Sequence, residues 1–181
     1  MRRLLLIMLL AGPAHADNVH KEGDYGGVVP GQKSDAKPRR PPPKGTLTWI
    51  GFEAKDGGAQ LFLQSVAPFE VNQRVEGATL VVHANLRRLD ASTWRAIETR
   101  FFDNPLSRVH AKVVRASRGG KGRAAHGAGV DIRITFKNPA DAREASVRTA
   151  TEADGMYYVY LSFPAGTPTS DARPSGPPEP E

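Results

Sequence analysis

The side chains in this chain that could do chemistry are few and scattered. Beyond the first segment the histidines are His20, His83, His110 and His126. His20 and His126 sit in Gly-containing stretches. His83 and His110 sit in strand-like stretches, on the face opposite the main apolar row. No His-x-His or His-x-x-x-His pair occurs, so a zinc set would need two strands and a loop to converge, and no metal site is expected. No Gly-x-Ser-x-Gly elbow, P-loop or His-Glu-x-x-His motif is present. The carboxylates are dispersed, so an acid–base pair has no local signature. Cysteine is absent, which excludes thiolate metal ligands, a cysteine nucleophile and disulfide support. The expectation is a non-enzyme with no catalytic residues and no cofactor.

Two segments carry recognition chemistry instead. Ser117–Gly127 reads SRGGKGRAAHG, with Arg118, Lys121 and Arg123 as permanent cations and no acid among them. Backbone amides of a Gly-rich loop together with guanidinium and ammonium groups suit carboxylate or phosphate ligands. These three residues are the candidate ligand-binding set. The other segment is Arg100–Leu106, RFFDNPL. Asp103-Asn104-Pro105 signals a turn, since Asn before proline is held extended and Asp can hydrogen-bond the turn backbone. Adjacent aromatics cannot both enter one core layer, so one of Phe101 and Phe102 is expected to cover a sheet end or face a partner, and the two together are the candidate interaction surface.

These side chains must be positioned by strands. Thr46–Phe52 alternates and turns at Lys55-Asp56-Gly57-Gly58 into Ala59–Ser65. Phe69–Val75 follows Pro68, and Ala78–Ala84 is apolar at nearly every position, as an interior strand requires. Asn85–Thr99 is polar, with room for one helical turn near Ser92–Trp94. Leu106–Ala116 places Val109, Ala111 and Val113 on one face. Gly129–Phe136 turns Val130, Ile132, Ile134 and Phe136 inward and Asp131, Arg133 and Thr135 outward. Ala145–Thr151 and Met156–Phe163 pair across Ala153-Asp154-Gly155, a hairpin signal. The pattern, about eight short strands, predicts an all-β fold, a small β-sandwich of packed sheets or an open barrel.

The ends have a different character. Arg2 and Arg3 precede the apolar run Leu4–Leu10, and Ala14-His15-Ala16 has the small-x-small form that signal peptidase accepts. Residues 1–16 are therefore expected to be a signal peptide cleaved after Ala16, placing the protein in the periplasm or outside the cell. The run is well short of the roughly 20 apolar residues that span a bilayer. Without Arg2 and Arg3 the formal charge is 23 − 19 = +4, a mild excess that favours polyanions. No base-stacking motif accompanies it, and nucleic acid is not an expected partner. Residues 17–44 and 165–181 are rich in Pro, Gly and charge and read as disordered, leaving residues 45–164 as the one folded domain.

Within that domain, Thr48-Trp49-Ile50-Gly51-Phe52, Gln60–Ser65 with Pro68-Phe69-Glu70-Val71, Gly77–Val82, Pro105–Val109 and Val130–Ile134 together resemble the AMIN domain. That domain is the β-module of periplasmic N-acetylmuramoyl-L-alanine amidases and type IV pilus secretins. His83 stands where that family often has an acidic residue, and the Ser117–Gly127 loop is longer than its usual hairpin. The resemblance implies packed small sheets and a role at the cell wall. The expected function is a non-catalytic envelope module that binds peptidoglycan through basic loops. The alternative is a protein–protein adaptor in a secretion or pilus assembly, pairing by an exposed sheet edge.

Overall fold

The computed structural model describes residues 30–31, 42–120 and 125–167. They form ten strands in chain order: β1 Thr46–Lys55, β2 Gly58–Ser65, β3 Val71–Glu76, β4 Thr79–Ala84, β5 Arg88–Leu89, β6 Ile97–Glu98, β7 Leu106–Val114, β8 Gly129–Phe136, β9 Ser146–Thr151 and β10 Tyr157–Phe163. Sheet A runs β5-β1-β2-β10-β9 and sheet B runs β3-β4-β8-β7-β6. Every pairing is antiparallel except β1 with β5. The fold is the all-β sandwich of two packed sheets that the alternation predicts.

The inward faces explain the packing. Leu47, Leu61, Leu63, Val159 and Leu161 of sheet A meet Leu80, Val82, Val130, Ile132 and Ile134 of sheet B, and all are inaccessible to solvent. At about 25 cal/mol per Å² of apolar surface, this layer is the main stabilising term, as it must be in a chain without disulfides. The β1–β2 hairpin closes at Asp56-Gly57, both with positive φ (53° and 74°), the geometry that makes Asp-Gly a favoured pair in tight hairpins. A 3-10 turn spans Ala91–Thr93, where Asp90 accepts a hydrogen bond from the Ser92 amide.

Several details differ from the sequence expectation. β5 and β6 contribute only two residues each, too short to leave a periodic pattern. Phe69 precedes β3 and is buried against Tyr157, with ring centroids 5.6 Å apart. Val113 shares the face of Val109 and Ala111 but is 51% exposed. β6 pairs only with Arg108 and Val109, so the far end of β7 is itself an edge without cover.

The outer face of sheet A carries a second small cluster. Phe62, Tyr158 and Tyr160 are buried there, with Trp49, Ala150 and Met156 packed against them. Trp49 stacks on Phe62 at 6.2 Å by crossing Gly51, where any Cβ would overlap both rings. The expected signal peptide, residues 1–16, lies outside the described residues. Of the segment 17–41, Pro30 and Gly31 are described, and the Gly31 amide donates to the Tyr158 hydroxyl. At the other end Thr167 donates through its amide and hydroxyl to the Asp141 carboxylate. These bonds hold the Asp141 carboxyl below its ordinary range.

Candidate functional site

The outward side chains of β3, β4, β8 and β7 form a grid whose rows the ladder registers fix. Arg74, Val81, Arg133 and His110 make one row. Glu76, Thr79, Thr135 and Arg108 flank it on one side, and Asn72, His83, Asp131 and Lys112 on the other. Val81 is fully buried although it points away from the core. An apolar residue on an outer face needs such cover, and its row neighbours on either side, Arg74 and Arg133, bring long aliphatic stems able to supply it.

The charges on this face are unevenly committed. Arg74 bonds Glu76 at 2.7 Å and reaches Asp131 at 3.6 Å. The Glu76 partnership raises the Arg74 pKa and lowers that of Glu76. His83 Nδ1 meets Asp131 at 2.8 Å, and Gly129 passes so close to the imidazole that a side chain there would overlap it. That pair therefore anchors the return from the β7–β8 connection. Arg133 reaches Glu76, and Arg108 reaches Glu98, each at 3.3 Å. Both are surface pairs, which contribute about 0–1 kcal/mol.

Between these flanks Arg108, His110, Arg133 and Thr135 enclose a shallow hollow of about 260 Å³. Two guanidiniums, an imidazole and a hydroxyl converge on it, a donor set for a carboxylate or phosphate oxygen. Lys112 lies exposed on the same side of β7. Arg108, His110 and Lys112 are thus successive outward residues, about 7 Å apart at the strand rise of about 3.4 Å per residue.

The sequence-derived candidates fall in different places. Arg118 is exposed in the β7–β8 connection, whose base is fixed by the reciprocal backbone bonds of Ser117 and His126 at 2.9 and 3.0 Å. Lys121 and Arg123 lie outside the described residues. Phe101 and Phe102 part as adjacent residues must: Phe101 is 75% exposed with the Arg100 guanidinium over its ring, while Phe102 tilts against Phe52 at 5.7 Å. Sequence reasoning missed the grid itself. Its signal was the alternation Arg108-x-His110-x-Lys112 and Asp131-x-Arg133-x-Thr135, which becomes a site only once the register is known.

A deeper cavity of about 390 Å³ opens near Asp103, Lys137 and Asp141. Its groups are already engaged: Lys137 Nζ donates to the Phe102 carbonyl at 2.7 Å, and Asp141 holds Thr167. Burial lowers the Lys137 pKa, opposed by Asp103. Among the described residues no group of three or more His, Asp or Glu is placed to hold a metal ion, and no helix is long and apolar enough to cross a membrane. No family model, curated protein or solved structure matches this chain.

Proposed function

We propose that this domain is a non-catalytic module that binds an anionic polymer of the cell envelope, peptidoglycan being the expected one, along the outer face of sheet B. The observation that carries the reading is the row Arg108, His110 and Lys112 beside Arg133 around one open hollow. A linear polyanion laid along β7 meets a donor at each outward position. It displaces Glu98 and Glu76 from Arg108 and Arg133 at small cost, because those ion pairs are exposed and weak. The exposed Arg118 extends the contact beyond the strand end. The export-like layout of residues 1–16 and the likeness of the strand pattern to AMIN domains support an envelope setting.

The test is sedimentation of the chain from Asp17 with purified sacculi across a salt series. The wild type is expected to pellet at low salt and to be released as salt rises, the behaviour of screened electrostatic contacts. Replacing Arg108, Lys112 and Arg133 together with Gln, which keeps part of the aliphatic stem beside Val81, is expected to remove most of the pelleting while leaving the melting temperature within a few degrees. Pelleting by that variant equal to wild type would falsify the assignment of the face. Failure of the wild type to pellet at low salt would remove the polymer itself.

A further inference from the structure

The sandwich has four edge strands, three of them short or spent, and the stretch of β7 that β6 leaves bare carries the exposed Lys112, a charge of the kind that blunts an edge. β5 and β6 have two residues each. β3 carries Arg74 and Glu76 tied to each other and to neighbours, charges of the kind that blunt an edge. The Gln73 side chain reaches across to the other sheet, donating to the Ala145 carbonyl at 3.0 Å and accepting from the Ala145 amide at 2.8 Å. That amide occupies the backbone just ahead of β9 as a neighbouring strand would.

β9 is different. Ser146–Thr151 pairs with β10 in an unbroken register, without bulge or proline, and every residue except Ala150 is exposed. An exposed, regular edge of this length presents a row of unsatisfied backbone donors and acceptors, a ready template for another strand. We propose that β9 is a self-pairing edge: two copies of this domain join β9 to β9, antiparallel, about a two-fold axis passing beside Ala150.

The charge pattern selects both the partner and the register. Arg148, Ala150 and Glu152 share the outer face of sheet A, where Arg148 lies over the Tyr160 ring at 3.9 Å and Glu152 bonds the Tyr160 hydroxyl. Residues directly opposite across an antiparallel pair must lie on the same face. A two-fold pairing centred on Arg148 sets two guanidiniums against each other. Centring on Thr149 sets Arg148 opposite Ala150 and leaves Glu152 opposite Ser146. Centring on Ala150 sets Arg148 of each copy opposite Glu152 of the other, twice over, with the small Ala150 side chains meeting on the axis. Such an interface is isologous and closes at two copies, since the two-fold joins the same stretch, 148–152, of both edges.

The natural absence of cysteine makes the register directly readable. Ala150→Cys and Thr149→Cys are introduced separately into the chain from Asp17 and oxidised in a glutathione buffer. Ala150→Cys is expected to give a covalent dimer in good yield and Thr149→Cys little. Sedimentation equilibrium of the unmodified chain is expected to show twice the monomer mass at high concentration. Arg148→Glu is expected to weaken that association tenfold or more, and Arg148→Glu with Glu152→Arg to restore it. Restoration also shows that the single variant did not fail by misfolding. A wild type that stays monomeric at its solubility limit overturns the pairing, as does equal crosslinking at both positions or a charge swap that restores nothing.

Discussion

Asn104 shows how much can rest on one side chain in a turn. It is buried; its Nδ2 donates to the Thr99 and Phe102 carbonyls at 2.8 and 2.9 Å, and its Oδ1 accepts from the Leu106 amide at 2.8 Å. The amide thereby fixes the approach to β7, on which Arg108 and His110 stand. The Thr99 carbonyl still accepts from the Phe102 amide and the Phe102 carbonyl from Lys137 Nζ, so Asn104→Ala takes the partner from the buried Leu106 amide, which costs about 1–3 kcal/mol. A drop of about 1–3 kcal/mol in unfolding free energy by urea titration is expected. A change under about 0.5 kcal/mol, the ordinary effect of a surface substitution, would show that water replaces the amide. The sequence marked the turn but pointed to Asp103 for the backbone bonds, which Asn104 makes instead. Only the trajectory of the chain decides between two adjacent Asx residues. The split of Phe101 from Phe102 was legible, because consecutive side chains diverge, but which of the pair faces solvent depends on where Phe52 lies.

At the level of the strands, alternation and turn chemistry were enough to place every long element. The Asp-Gly hairpin, Pro68 and the Asp154-Gly155 turn punctuate runs whose apolar positions recur with period two. β5 and β6 carry no such pattern, and the end of β7 looks internal by composition yet is bare because its neighbour stops short. The aromatic cluster outside sheet A was illegible for a related reason: alternation put Trp49, Phe62, Tyr158 and Tyr160 on one face without saying that this face is closed. Closure has a measurable consequence at high pH. Burial, aided by the Glu152 carboxylate, pushes the Tyr160 hydroxyl up to about 12 from an ordinary value of 10. Because the folded value is the higher one, the associated stability is complete below about pH 10 and is lost as pH rises through about 12. Tyrosinate absorbance should therefore rise in two stages, the later one coinciding with a fall in melting temperature that Tyr160→Phe reduces. A single transition near pH 10 with no loss of stability would contradict the closed cluster.

For the molecule as a whole, what could not be read from the sequence was the order of strands within each sheet. That β10 pairs with β2, or that β8 pairs with β4, is a property of distant segments meeting, and the second of these pairings is what sets Val81 and Arg74 in one row with Arg133. The two outer faces divide the work: one is aromatic and closed, the other charged and open. A two-fold axis normal to sheet A would set the charged faces of both copies on the same side, so a dimer could grip one polymer at two points. The same strand order also bears on mechanics. β1 and β10 run in the same direction on either side of β2, and the chain enters at the Thr46 end of the sheet and leaves at Phe163, at the opposite end. Tension between these points runs along the strands and loads the β1–β2 and β2–β10 ladders together in shear rather than peeling bonds one at a time. Stretched between its ends by force spectroscopy, the domain should yield in one abrupt step at a force well above that for pulling between Lys55 and Gly58, where the hairpin would unzip. A gradual release under end-to-end load would mean that the ladders part in sequence. If the step is seen, this small sandwich is built to stay folded while something tugs on both of its flanking segments.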